Sequence, residues 1–410
     1  MKVLTGFRTA SRYNRVRIGM SPQRPGIADI LITIVTITTQ ILIARRFFSE
    51  RKKLPVPVSR ALTCVLCVLW FAFVCAIPFR FPAFTQALRW VPPITRSVLI
   101  ATGNIWGMTA VVSFCIYLLC SSFASGREPV HSPERRRLIQ AAGTVAVAAP
   151  FAVVAFGAIV ERTNFQVKEI DLPVPNLHPD LEGVRIGQLS DLHVSPWLSV
   201  RDAGRAVDML NECKPHLTVV TGDVISQPGD PLDDAIRELG RLRADAGVLG
   251  CLGNHERYVQ CQDYETREAA KVGIGILRNQ SRILRWGNGV LNVAGIDYQS
   301  RRDGPYLVNA EKMVVPGATN LLLSHNPDVF PTAVMKGYDA VMSGHTHGGQ
   351  VTVEILNRTL NVARFATPFV AGLYRLQGRS CYVTAGIGTI ALPVRIGAPP
   401  EVTVVRLTRA

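Results

Sequence analysis

At 410 residues the chain has room for two or three domains. Its formal net charge of +15 would suit a nucleic-acid binder, but the excess lies in one part only. Up to Val160 there are 19 Lys and Arg against 4 Asp and Glu, and from Glu161 onward there are 26 of each. Arginines between apolar runs mark membrane flanks, and no basic stripe with interleaved aromatics follows. No nucleic-acid partner is therefore expected.

A basic tail, residues 1–25, precedes four apolar runs that fill residues 26–160. Gly26–Ala44 has one charge, Asp29, and 19 residues, enough to span a bilayer at about 1.5 Å per residue. Ala61–Phe79, Ser97 to about Ala124, and Leu138–Val160 are three further runs. Four spans are expected, with three spans plus a signal-like segment as the alternative. Between the second and third, Phe81–Arg96 with Trp90 and three prolines reads as an interfacial connector. The nine cysteines include Cys64 and Cys67 in a C-x-x-C, but that pair lies inside an apolar run with no second pair, so no disulfide framework or zinc site is implied.

Orientation is closely balanced. The first and third loops carry ten basic residues, and the tail and second loop carry nine. A start at Met20 would leave only Arg24 in the tail, and Arg135-Arg136-Arg137-Leu138-Ile139-Gln140 before a small-residue run has the look of a twin-arginine signal or of an ordinary cytoplasmic flank. Both considerations put the first and third loops inside and everything after Val160 outside.

Residues 161–410 change character. Short β-branched runs recur at Val184–Leu189, Leu217–Thr221, Gly247–Leu252, Val290–Ile296, Asn320–Ser324 and Asp339–Met342, after a first strand at Asn164–Leu172 and a turn at Pro173–Pro179. Val200–Asn211 and Pro231–Leu242 have helical periodicity between them. Strands alternating with helices predict an α/β domain, and the tail beyond Val351 adds short strands to it.

Chemistry-bearing residues follow the strand ends, where open α/β sheets gather functional groups. In order they are Asp191-Leu192-His193, Gly222-Asp223, Gly253-Asn254-His255-Glu256, His325-Asn326 and Gly344-His345-Thr346-His347-Gly348. Five of the eight histidines fall in these blocks. Each block alone has a mundane reading as a cap or a turn. Together they supply the imidazole, carboxylate and amide set of a site for manganese, iron or zinc.

This series resembles the calcineurin-like metallophosphoesterase superfamily over about Val184–Gln350. With the H-G-G-Q continuation and apolar N-terminus, it is most similar to a membrane-associated bacterial subgroup with predicted phosphodiesterase activity. The resemblance implies a sandwich of two packed β-sheets flanked by helices, preceded by an all-α transmembrane region. It implies two metal ions: one on Asp191, His193 and His347, the other on Asn254, His325 and His345, with Asp223 bridging. It makes His255 the acid beside the leaving group. Two such ions about 3.5–4 Å apart need a shared carboxylate and activate a water between them. Protein phosphatases of the superfamily carry an arginine before the G-N-H-E block and D-R-G after the aspartate; here those places hold Leu252 and Val224-Ile225-Ser226-Gln227. That favours a diester over a phosphomonoester. His216, where relatives have an aspartate, reads as a surface residue.

The expected activity is thus hydrolysis of a lipid or envelope phosphate ester at the outer face of a bacterial cytoplasmic membrane. The alternatives are a phosphomonoesterase of the same fold and a non-catalytic membrane-bound metal- or ligand-binding protein. A transporter is not favoured, since Asp29 is the one clear charge within the apolar runs and sits near an end.

Overall fold

The computed structural model describes residues 27–78, 90–125, 132–355 and 358–410. The basic tail with Met20 and Arg24, connector residues 81–89, and Arg80 and Arg127 lie outside the described residues. The chain divides into two compact units. One is helical, ends at Val160 and takes in Ala391–Pro393; the other comprises Glu161–Ile390 and Val394–Ala410.

The helical unit holds α1 (Ile27–Glu50), α2 (Val56–Ala76), α3 (Pro93–Ser125) and α4 (Pro133–Ile159). All four are long and apolar enough to cross a membrane. The helices run past the apolar stretches: Arg45 and Arg46 lie within α1, and Arg135–Arg137 within the opening turns of α4, whose N-cap is Ser132. Apolar packing does not select partners where the surroundings are equally apolar, so polar ties and small residues do. Trp70 on α2 and Trp106 on α3 both donate an indole N–H to Oε1 of the buried Gln40 on α1, at 2.9 Å each. On α3, Gly103 sits so near α2 that a Cβ would come within 2.5 Å of the Ala72 carbonyl.

The larger unit packs two six-stranded sheets. Its strands are β1 (Gln166–Val174), β2 (Arg185–Leu189), β3 (Leu217–Thr221), β4 (Val248–Cys251), β5 (Ile274–Ile276), β6 (Gln280–Trp286), β7 (Gly289–Gly295), β8 (Thr319–Leu323), β9 (Ala340–Ser343), β10 (Thr352–Ile355), β11 (Arg358–Asn361), β12 (Gly372–Leu376), β13 (Arg379–Val383) and β14 (Glu401–Arg409). One sheet runs β1-β14-β2-β3-β4-β5 and the other β12-β13-β9-β8-β7-β6, with β10 and β11 forming a separate hairpin. Strands β2 to β5 are mutually parallel, as are β7, β8, β9 and β13.

Alternation along the strands builds the layers. Leu217 and Val219 of β3, and Leu321 and Leu323 of β8, meet in one core with Ile186, Leu249 and Tyr382, which is the space between the sheets. Val220, one residue after Val219, faces a second core under α5 (Val200–Glu212) and α6 (Leu232–Leu239). Leu322 faces a third, under α9 (Phe330–Met335). The result is the expected two-sheet sandwich flanked by helices.

α5 starts with a reciprocal capping box between Ser199 and Asp202 and presents Ala203, Ala206, Val207 and Leu210 inward. α7 (Asn254–Val259) and α8 (Gln262–Lys271) complete the helices.

Several elements were not expected from the sequence, among them α8, β5 and β6. α8 buries only Glu265 and Ala269, β6 is an edge strand with a mostly exposed burial pattern, and β5 has three residues. Each carries too little apolar periodicity to read. The turn expected from Pro173 starts later, because β1 continues through Pro173 to Val174. Proline is tolerated there because β1 is an edge strand. His216 is half-buried, not a surface residue: its Nδ1 accepts the Arg185 amide at 2.9 Å, tying the starts of β2 and β3 together at the sheet edge opposite the chemistry.

Candidate metal centre

Because β2, β3 and β4 are parallel in one sheet and β8 and β9 in the other, the five expected blocks all follow carboxyl ends. They converge on one buried cluster. Asp191, His193 and His347 form one group whose ligand atoms lie within 4.8 Å of one another; Asp223, His325 and His345 form another, and His193, Asp223 and His255 a third. Asp223 is common to the last two. Its Oδ2 is 3.1 Å from His325 Nε2 and 3.5 Å from His193 Nε2. Asp191 Oδ1 is 3.3 Å from His347 Nε2.

The backbone is held in unusual conformations to achieve this. Asp191, His193, Asp223, His345 and His347 all have positive φ, between 49° and 77°. A residue with a Cβ adopts that left-handed region at a cost, and such residues concentrate where function over-determines geometry.

Two glycines make the close approaches possible. A Cβ on Gly253 would fall 2.1 Å from Asp223 Oδ1, and one on Gly344 would fall 2.1 Å from Ser190 Oγ and 2.2 Å from Asp191 Oδ2. Amides stitch the loops: Asp191 N donates to Gly222 O, His193 N to Asp223 O, and His345 N to both Asp191 carboxylate oxygens, all at 3.0–3.1 Å.

Outer partners set the imidazoles. His325 Nδ1 donates to the Thr221 carbonyl at 2.7 Å, which leaves Nε2 to face Asp223. His255 Nδ1 donates to the Ser226 carbonyl at 2.6 Å, and the Ser226 hydroxyl is hydrogen-bonded to His193 Nδ1 at 3.0 Å. Burial drives His193 down to about 3 and His345 down to about 4, keeping both neutral and able to donate a lone pair. Burial also works against charge on His325, yet Asp223 and Asp191 outweigh it and lift that group to about 10. Asp223 and Asp191 are themselves lowered: burial opposes ionisation, and the surrounding histidines overcome it.

The donor set fits a metal. Two pairs of imidazole nitrogens face each other at 3.2 Å, His193 Nε2 with His347 Nε2 and His345 Nδ1 with His325 Nε2. Asn254 Oδ1 and His347 Nδ1 are buried with no hydrogen-bond partner among the described residues. Buried polar atoms left unpaired call for an explanation, and an ion is one. The two acids at the centre raise the pKa of a buried histidine, so the pocket favours positive charge.

Comparison with known proteins decides the family. A model of the calcineurin-like phosphoesterase family matches residues 184–349. A Danio rerio protein described as "Transmembrane protein with metallophosphoesterase domain" is 30% identical over 309 residues, covering 71% of this chain and 67% of the relative.

The chain belongs to the calcineurin-like metallophosphoesterase family.

This metallophosphoesterase is also 29% identical over 247 residues to an uncharacterised metallophosphoesterase of Campylobacter jejuni, covering 59% of this chain and 63% of that one. It is 27% identical over 252 residues to Bacillus subtilis YkuE, covering 61% of this chain and 86% of the relative. The chain thus spans 67% and 63% of the first and the Campylobacter relative. Its larger unit carries the domain of a metal-dependent phosphate-ester hydrolase, and the four membrane-capable helices match its resemblance to transmembrane relatives.

Some residues here were not singled out by motif. Glu256, fully buried, accepts the amides of Asp223 (2.9 Å) and Gly253 (2.7 Å) on Oε2 and that of Val224 (2.7 Å) on Oε1, clamping two blocks. The G-N-H-E spelling contained it, but a glutamate opening a helix gives no hint that it reaches another loop. Ser226 was read only as the absence of an arginine. Arg395 is buried and donates to the carbonyls of Ala385, Gly386, Gly388 and Ala398. That loop in turn donates the Gly388 amide to Asp191 O at 2.7 Å. Tyr298 lies with its ring 5.6 Å from that of His345, and burial pushes its phenol up.

Glu256→Gln replaces one acceptor of a backbone N–H by a donor while keeping size. Metal titration of the purified chain should show affinity reduced by about 10–100-fold, with the far-UV circular dichroism unchanged. Wild-type affinity in that variant would mean that Glu256 does not position Asp223.

Proposed function

We propose that the chain is a two-metal phosphodiesterase, with residues 26–160 as its membrane region and residues 161–410 as its catalytic domain. The observation that carries this reading is the Asp223 carboxylate, which sits between His193 and His325 and so belongs to two groups of ligand-type side chains at once. In this proposal Asp191, His193 and His347 hold one ion, Asn254, His325 and His345 hold the other, and Asp223 is shared. Manganese, iron or zinc would each suit the mixed nitrogen and oxygen donors. When bound, such ions supply Lewis acidity toward the phosphoryl oxygens and make water a nucleophile at neutral pH.

The protein's own groups do the rest. Oriented amides and glycines let the phosphate come close without a Cβ in the way. His255 is held by its Nδ1–H at the Ser226 carbonyl and by its amide at Asp223 Oδ1, 2.9 Å away. Protonated, its other nitrogen gives the departing alkoxide a proton.

Diester preference rests on what stands around the cluster. Leu252 and Val224 to Gln227 occupy the places where phosphatases have basic residues. Arg257, on α7, is engaged by both carboxylate oxygens of Asp303, at 2.6 and 2.8 Å. A dianionic monoester needs such guanidinium groups more than a monoanionic diester does. The membrane region favours a lipid or cell-envelope phosphate ester as substrate, with no role for nucleic acid. A bacterial cytoplasmic membrane with the catalytic domain on its outer face completes the proposal, the first and third loops carrying ten basic residues and the second three.

The full chain in detergent, loaded with manganese, should turn over bis-p-nitrophenyl phosphate faster than p-nitrophenyl phosphate. A chelator should abolish the activity, and Asp223→Asn should lower it by at least about 100-fold. Chelator-insensitive turnover equal in the variant contradicts the mechanism. Faster monoester turnover contradicts the diester preference and favours a phosphomonoesterase. Metal binding with no turnover of either ester favours a binding protein.

Topology has its own test. Alkaline phosphatase fused after Ala410 and expressed in a bacterium should be active, since that enzyme matures only outside the cytoplasm; a fusion active only as a cytoplasmic reporter places the domain inside.

A further inference from the structure

The turn that carries His347 leads straight into the β10–β11 hairpin, whose strands pair only with each other among the described residues. Two strands alone are marginal in water, so such a hairpin needs support. Its base has it. Asn361 Nδ2 donates to the Gly348 carbonyl at 2.8 Å and to Thr352 Oγ1 at 2.6 Å, and the Asn361 side chain fills the space that a Cβ on Gly349 would require. Thr352 Oγ1 donates to the same Gly348 carbonyl at 2.9 Å.

Beyond that base Leu360, Val362 and Phe365 face outward. Leu360 is 58% exposed, Val362 68% and Phe365 95%, the highest value among the described large apolar residues. Arg364, beside Phe365, is exposed too. From Val351 to Ala366 the sequence has one acid, Glu354, against Arg358 and Arg364.

We propose that the outer part of this element, Leu360 and the turn Val362–Phe365, is a membrane-contact element whose occupant is the surface of an anionic lipid bilayer. Phenylalanine and aliphatic side chains next to arginine are the combination that enters the headgroup boundary, with the apolar groups among the acyl chains and the guanidinium at the phosphates. A bilayer is the partner the chain brings with it, because four of its helices are long and apolar enough to span one. A soluble partner would have to be supplied from outside. The contact would set lipid headgroups near the turn that presents His347, since Asn361 fastens the hairpin to Gly348 and Gly349. It does not depend on the reaction proposed above, and a soluble substrate would leave it unchanged.

The test uses the full chain in nanodiscs of phosphatidylglycerol and phosphatidylethanolamine, with the photo-crosslinker p-benzoylphenylalanine in place of Phe365. A second sample carries it in place of Ile283, 49% exposed on β6 at the far edge of the sheet from β12. Both positions are exposed, so neither substitution disturbs folding. After irradiation, mass spectrometry should find lipid adducts at position 365 at about ten times the yield at position 283. Equal yields at the two positions overturn the proposal. So does a crosslink from position 365 to a second copy of the chain in place of lipid, which would make the hairpin a self-association surface.

Discussion

The structure turns on how Asp223 is held. Its backbone lies in the left-handed region, and Glu256 binds its amide and that of Val224. One carboxylate oxygen takes the His255 amide, and the other faces His325 and His193. A buried carboxylate is costly unless it is paired, and here Asp191, Asp223 and Glu256 are all buried within one cluster. The compensation comes from imidazoles and backbone N–H groups on five loops drawn from both sheets. The fold's task is to bring those loops together, and the parallel strands under them make it possible.

Much of this was legible in the sequence. The β-branched runs ending at Leu189, Thr221, Ser324 and Met342 marked strands, and the polar blocks just beyond them marked a common edge. Leu217–Thr221 matches β3 at both ends because a fully buried strand bounded by turns leaves little ambiguity. Elements without periodicity escaped, as α8 and β6 show. Contacts between distant loops escaped for another reason: nothing in Ser226 or Arg395 as letters says which carbonyl or imidazole they will meet. His216 illustrates the same limit in reverse, since a histidine in a polar stretch turned out to stitch two strand starts.

The two compact units follow different physics. In the helical unit Gln40 collects two indole N–H groups, an arrangement that gives specificity where apolar contacts alone give none. In the catalytic unit specificity comes from alternation across three cores and from glycines at the loop crossings. The His347 turn belongs to both the metal cluster and the exposed hairpin, because Gly348 and Gly349 are fastened to Asn361 two strands later. An enzyme that acts at a lipid surface would benefit from that economy of parts.

The central claim is that His345 and His347, two residues apart, serve different ions that share Asp223. Metal content per chain, measured by mass spectrometry on the purified, metal-loaded protein, tests it most directly. The account predicts two ions in the wild type and one in each of His345→Ala and His347→Ala, with distinct ligand environments in the two variants by X-ray absorption. One ion in the wild type, or the same residual environment in both variants, would contradict it.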